Sequence, residues 1–202
     1  MYSIFRYLTG FLGAEWTHHA TLEALKYIPK ICFKSPVNHP THIMGLDFKH
    51  AVGLAAGFDK DGRYLKALSK LGFASIELGT VTPRPQFGNP KPRLFRVPDR
   101  NALINRMGFN NAGVDALVER IKNTEFDGVL GVSIGPNKDT PKARVWSDYE
   151  YCLEKVYSSA DYVAVNISSP NTPGLRALHH QKAFSELLQV LVNTRKALMD
   201  TH

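Results

Sequence analysis

The densest group of chemically capable side chains in this 202-residue chain is the run Asn166, Ile167, Ser168, Ser169, Pro170, Asn171, followed by Pro173, Gly174 and Arg176. Two amides and two hydroxyls held between prolines form a compact polar set of the kind that positions a small ligand. A serine nucleophile would want a histidine and an acid beside it. The eight histidines fall mainly in the first fifty residues and at His179, His180 and His202, which supports a hydrolase triad poorly. Three other segments carry comparable chemistry. In AAGFDKDG at 55–62, Ala55, Ala56 and Gly57 leave no bulk, so a flat ring can approach the backbone while Lys60 holds an anionic group. A turn followed by a helix cap explains the same residues equally well. The stretch 84–100 holds Arg84, Lys91, Arg93, Arg96 and Arg100 against Asp99, stiffened by four prolines, and reads as an anion-binding or tunnel-shaping loop. NRMGFNN at 105–111 sets Asn105, Asn110 and Asn111 around Gly108. Amide side chains both donate and accept, which suits a substrate with amide or imide edges. A turn and cap accounts for Asn110 or Asn111 but not for Asn105.

These segments need elements to hold them. Four short apolar runs, AVGLAA at 51–56, SIELGT at 75–80, LGVSIG at 130–135 and YVAVNIS at 162–168, are bounded by Gly, Asn or Asp and read as strands buried on both faces. Helical patterns follow each: 62–71 capped by Asp61, 111–122, 147–160 and 181–199. The alternation predicts an α/β fold with right-handed crossovers and a site beyond the carboxyl ends of the strands. Four βα units fit a small open sheet or half of an eight-unit barrel, and the pattern leaves both open. The segment 81–129 exceeds a crossover, and its RLFRV and NALINR runs are candidate extra strands lining the site. At the N-terminus, apolar residues recur at helical spacing over 2–12 and 15–28 and Pro29 closes the second helix. This pair reads either as a hairpin packed on the main domain or as an interfacial module in the lipid headgroup plane.

Composition narrows the classes. With 44% hydrophobic and 21% charged residues, and glycine and proline spread evenly, the chain is globular rather than disordered. The longest stretch free of Asp, Glu, Lys and Arg is 162–175, too short and too polar to span a membrane. A net charge of +7 favours anionic partners: phosphorylated cofactors, carboxylate substrates, nucleic acid or acidic lipid. Cys32 and Cys152 form no CxxC, metal or nucleophile pattern, and in the absence of a secretory leader a reducing compartment is the default.

Four stretches in order, MGLDFKHAVGLAAGFDKDG, GFASIELGTVTPRPQFGNPKPRLFR, LINRMGFNNAGVD and YVAVNISSPNTPGLR, resemble the class 2, quinone-dependent, membrane-associated dihydroorotate dehydrogenases of the bacterial type. The resemblance implies the TIM (β/α)8 barrel family, here its first four βα units, preceded by an N-terminal helical hairpin. It divides the chain into a membrane-associating hairpin, 1–35, and the N-terminal half of an FMN-binding barrel, 36–202. The implied reaction is oxidation of (S)-dihydroorotate to orotate with FMN and a membrane quinone, the fourth step of de novo pyrimidine (UMP) synthesis. Ser169 matches the catalytic base, assisted by Thr172 or neighbouring hydroxyls. Its serine sets the chain apart from soluble class 1 enzymes and from flavin-dependent tRNA uridine reductases, which use cysteine. Lys60, Asn105, Arg106, Met107, Gly108, Phe109, Asn166 and Asn171 match substrate positions. Ala56, Gly57, Phe58, Asp59, Lys60, Thr80, Ser133 and Asn166 match flavin positions, and His18 and Arg96 match the quinone tunnel. Ser133 stands where members usually carry Asn. The resemblance further implies no metal, no nucleic-acid partner, a monomer at full length, and a peripheral place on the cytoplasmic face of the bacterial inner membrane. The family's second half finds no match here, so weak or no FMN binding and no turnover are expected of the isolated chain. The runner-up reading is a non-catalytic half-barrel that assembles with a second chain.

Overall fold

The computed structural model describes residues 10, 12–34, 36–172 and 174–201. Most of the expected first helix, residues 2–9 and 11, therefore lies outside the described residues. The second helix forms as the sequence predicts. Helix α1 (Ala14–Tyr27) stops ahead of Pro29 and buries Thr17, Leu22 and Leu25 on one stripe. It is tied to the main body along its length. The Tyr64 hydroxyl donates to Glu23 at 2.7 Å, and burial with this contact pushes the Tyr64 pKa up to about 12. The Lys70 ammonium donates to the carbonyls of Lys26 at 2.9 Å and Ile28 at 3.0 Å, supplying partners that the last helical turn lacks.

A hairpin that the sequence reading did not find comes next. Strands β1 (Thr41–Ile43) and β2 (Leu46–Phe48) pair antiparallel across Met44 and Gly45, whose φ values of 53° and 80° make the two-residue turn. The main sheet contains β3 (Gly53–Leu54), β4 (Ser75–Val81), β7 (Val129–Ile134) and β8 (Tyr162–Val165), all parallel. Each new strand joins beside its predecessor, so spatial order equals chain order. A doubly wound sheet reverses direction at a switch point; a sheet that never reverses is the arc of a (β/α) barrel. The helices α2 (Leu65–Leu68), α3 (Val114–Lys122), α4 (Val145–Val156) and α5 (Gln181–Met199) follow β3, β4, β7 and β8 in turn. The core between strands and helices is closed by Ile76, Leu78, Leu117, Val132, Tyr149 and Leu187, all fully buried. RLFRV and NALINR become β5 (Leu94–Val97) and β6 (Ala102–Asn105), an antiparallel hairpin inserted between β4 and α3.

Several element boundaries differ from expectation: the strand read over 51–56 shortens to Gly53–Leu54, the helix read over 147–160 runs Val145–Val156, and two helices start later than their patterns. The helix predicted over 62–71 shrinks to Leu65–Leu68 with a 3-10 turn, Ser69–Leu71. Asp61 does not cap it: its carboxylate accepts from the Ala112 amide at 2.7 Å, while that of Asp59 accepts from the amides of Arg63 (3.0 Å) and Tyr64 (2.8 Å) in the turns ahead of the helix. Helix α3 starts at Val114 because Asn111 folds its own oxygen onto the Gly113 amide at 2.8 Å.

Gly79 is a point of close backbone approach between β4 and β7. It sits at φ +98°, and a Cβ there would collide with the Ser133 carbonyl oxygen of β7. Gly79→Ala is expected to lower stability by more than about 2 kcal/mol, read as a shift of the urea midpoint, because strain and collision add. An unchanged midpoint would show that the β4–β7 ladder can shift to make room.

Candidate functional site

A single cleft of about 1110 Å³ opens at the carboxyl ends of β3, β4 and β8 and runs beneath α1 and the β5–β6 hairpin. Its floor is set by small residues and by a polar link across three strands. Gly57, at φ +98°, donates its amide to the Gly79 carbonyl at 2.8 Å, and a Cβ on Gly57 would project into open space. From β4, the Thr80 hydroxyl shares a 2.9 Å hydrogen bond with Ser133 of β7 and accepts from the Asn166 amide, just past β8, at 2.8 Å. The Asn166 side-chain oxygen accepts in turn from the Ser168 amide (3.1 Å) and hydroxyl (3.2 Å). Tyr149 fixes the backbone below by donating to the Asn166 carbonyl at 2.8 Å.

One wall is the backbone of 105–110, held from outside by the neighbouring loop. Gln86 donates to the carbonyls of Gly108 (3.2 Å) and Phe109 (3.1 Å), and Asn89 donates to those of Met107 (3.0 Å, from its amide N–H) and Arg106 (2.8 Å). Gly108 and Phe109 both take positive φ, 72° and 51°, so the chain turns tightly and presents Asn105, Met107 and Asn110 to the cleft. Arg106 is a correction. Its guanidinium donates to the Pro92 carbonyl at 3.1 and 2.8 Å and lies over the Phe95 ring, exposed and outside the cleft. Asn110 is an addition. The sequence reading gave it to a turn, yet its side-chain oxygen is buried without a partner among the described residues, and the residue lines the cleft.

The roof comes from α1. His18 pairs its Nε2 with the Phe58 carbonyl at 2.8 Å and meets the Phe58 ring edge-on; burial lowers its pKa, favouring the neutral ring. Arg96, on β5, donates to the Leu12 carbonyl at 2.6 Å. The basic stretch 84–100 is less free than its composition implies. Arg84 pairs with exposed Asp139 at 2.6 Å, while Arg93, with only 7% of its side chain exposed, donates from Nε and Nη2 to Glu15 at 3.1 and 2.5 Å. Lys91 stands 3.5 Å from the same carboxylate. The stretch thus shapes a roof more than it offers bare cations. Lys60 is the cation the cleft keeps: among the described residues it has no hydrogen bond or ion pair. Burial first, then the nearby Arg93, pull its pKa below that of an ordinary lysine.

Ser169 is half-buried at the rim, its hydroxyl oxygen accepting from the Asn171 amide at 3.3 Å. Among the described residues no histidine bonds it; the nearest in sequence, His179, turns to the Ile167 carbonyl at 3.1 Å. Of the residues expected at the site, all but Arg106 and Ser133 line the cleft; Ser133 lies beneath the floor, bonded to Thr80. Asp59 faces the cleft only partly, since its carboxylate is spent on two backbone amides and burial raises its pKa. Amide groups, one lysine and the hydroxyls of Ser169 and Thr80 thus stand around a floor of small residues, an arrangement suited to holding a flat, anionic, amide-bearing molecule.

The family model of dihydroorotate dehydrogenase matches residues 39–199. A dihydroorotate dehydrogenase (quinone) of Legionella pneumophila (strain Lens) is 54% identical over 202 residues, covering all of this chain and 61% of the relative. One from Escherichia coli O139:H28 (strain E24377A / ETEC) is 52% identical over 196 residues, covering 95% of this chain and 58% of the relative. Among solved structures, DHODH from Eimeria tenella in complex with ferulenol superposes with a TM-score of 0.85 at 38% identity, covering 93% of this chain and 52% of that one. The chain thus spans about 60% of the length of the curated relatives it matches.

Proposed function

The chain belongs to the dihydroorotate dehydrogenase family, and from that premise we propose that its cleft serves the oxidation of (S)-dihydroorotate to orotate, with FMN as cofactor and a membrane quinone as final acceptor. The observation that carries the reading is the convergence of Lys60, Asn105, Asn166, Ser169 and Asn171 on one cleft from three separate βα connections. A flavin fits the residues present. Ala56, Gly57 and Thr80 bound a floor without bulk, and the space a Cβ on Gly57 would fill is open. The link from Thr80 to Ser133 and Asn166 fixes polar atoms at that floor. FMN, when bound, supplies the two-electron acceptor.

The chain's own residues do the rest. Asn105, Asn166 and Asn171 offer donors and acceptors to the amide and imide edges of the pyrimidine ring, and Lys60 attracts its carboxylate and orients the ring. Ser169 takes the proton from C5. A lone serine hydroxyl is a weak base, and the amide N–H of Asn171 favours negative charge on its oxygen as the proton passes on. His18 and Arg96, between α1 and β5, border the mouth through which the quinone head enters. No described helix is long and apolar enough to cross a membrane. Attachment is instead peripheral, through the N-terminal segment 1–35, on the cytoplasmic face of a bacterial inner membrane.

Anaerobic titration of the FMN-supplemented protein at its relatives' full length tests the reading, since the 202-residue stretch by itself is expected to bind FMN weakly and not to turn over. Dihydroorotate should bleach the flavin absorbance and a short-chain quinone should restore it. Bleaching by NADH but not by dihydroorotate would assign the cleft to another hydride donor.

A further inference from the structure

The loop 84–92 carries an apolar side chain that the proposed chemistry does not use. Phe87 is 97% exposed, beside Gly88, whose φ of 76° turns the chain at the loop's end. Its backbone is nonetheless fixed, since Arg93 donates from Nη1 to the Phe87 carbonyl while the same guanidinium holds Glu15 of α1. One side chain bridging both places Phe87 beside the start of α1. There Leu12 is 45% and Trp16 61% exposed, and Tyr27, 84% exposed, continues the line. Trp16 and Tyr27 are eleven residues apart, about 20° around a helix, so they share one outer stripe. A rigidly mounted, fully exposed phenyl group beside such a stripe has no role within the fold.

The charge around it points to one occupant. Lys91 and Arg93 share the single carboxylate of Glu15, which leaves that rim cationic. Lys138 adds a further ammonium, 3.1 Å from the Asn89 side-chain oxygen in the same loop. Aromatic side chains flanked by cations match the acyl boundary and the phosphate layer of an anionic bilayer. We propose that Phe87, with Lys91 and Lys138, forms a second contact with the anionic lipid surface, separate in sequence from the N-terminal segment 1–35. It holds the cleft mouth between α1 and β5 against the bilayer. The proposal rests on the peripheral attachment proposed above and adds a contact to it.

The test uses the full chain with Cys32, the exposed cysteine, replaced by Ser; Cys152 is buried and out of a label's reach. Phe87→Cys carries an environment-sensitive fluorophore, and the control site is Met44→Cys, 95% exposed on the β1–β2 hairpin. That hairpin leads into Lys49, whose ion pair with Asp127 ties it to the entry of β7, the opposite end of the sheet from the cleft. With phosphatidylglycerol/phosphatidylcholine vesicles the protein should sediment and the label at 87, not at 44, should shift to the blue. Phe87→Ser should weaken partitioning about tenfold, the worth of one buried phenyl group. Sedimentation with an unshifted label at 87 overturns the second contact and leaves peripheral attachment standing. No sedimentation overturns both.

Discussion

Arg93→Ala should lower the unfolding free energy by about 2 kcal/mol, the worth of hydrogen bonds to a charged group. The guanidinium closes a contact between residues 78 apart in sequence, and its partner Glu15 has a side chain only 12% exposed. Removing it leaves the half-buried carboxylate with Lys91 alone, 3.5 Å away, and takes a donor from the Phe87 and Asn89 carbonyls. Replacing both partners, Glu15→Gln with Arg93→Ala, should cost less than Arg93→Ala alone, because the carboxylate that loses its main partner is then gone as well. The pair also gives a sign for pH. The hydrogen bond from Arg93 holds the Glu15 carboxyl below its ordinary pKa. Its contribution is therefore complete above the ordinary carboxylate range and is lost as pH falls through the lower folded value. Urea midpoints measured from neutral to acid pH should converge for wild type and Glu15→Gln as the carboxyl protonates. A constant gap across that range would assign the stability to packing.

At the relatives' full length, Ser169→Ala should cut the rate of flavin reduction by dihydroorotate by about 10²–10⁴-fold, the range for loss of a positioned base. Substrate affinity should change little, since among the described residues the Ser169 hydroxyl bonds the Asn171 amide and none of Lys60, Asn105 and Asn166. The effect belongs in the maximal rate rather than in KM. Full activity in Ser169→Ala would shift the proton to another acceptor at the cleft, with Lys60 the next to test.

Much of the scaffold was legible because it rests on local pattern. SIELGT and LGVSIG are rich in apolar residues since most of β4 and all of β7 are buried, and burial of that kind writes itself into residue type. The stripe of 181–199 likewise matched α5 from end to end. What stayed hidden depends on backbone path or on distant partners. Asp59 and Asp61 are equivalent as letters. Which one takes the amides ahead of α2 depends on the turns at Gly57 and Gly62, both at positive φ, and composition does not encode that path. The β1–β2 hairpin lacks an Asn-Gly signal because Met44 takes positive φ without being a usual turn residue. At the site, the strand-end motifs supplied the lining from 55–61, Thr80, 105–110 and 166–171, whereas the wall from Glu15, Thr17, Thr21, Leu22, Leu94 and Leu103 carried no such signal, and the Arg106 side chain turns away to Pro92 and Phe95. The Glu15–Arg93 pair carried no sequence signal at all, and it turns Arg93 from a candidate anion-binding cation into a brace for α1.

The three fastenings of α1, to Arg93 near its start, Tyr64 in its middle and Lys70 at its end, have a kinetic consequence. A helix hinged at one end works as a door, and passage beneath it is timed by collective motion. A helix bolted at three points is a lintel. Molecules crossing below α1 are then sorted by the girth that Leu22, Leu94 and Leu103 allow, and the timescale of their passage is that of side-chain rotation, not of helix movement.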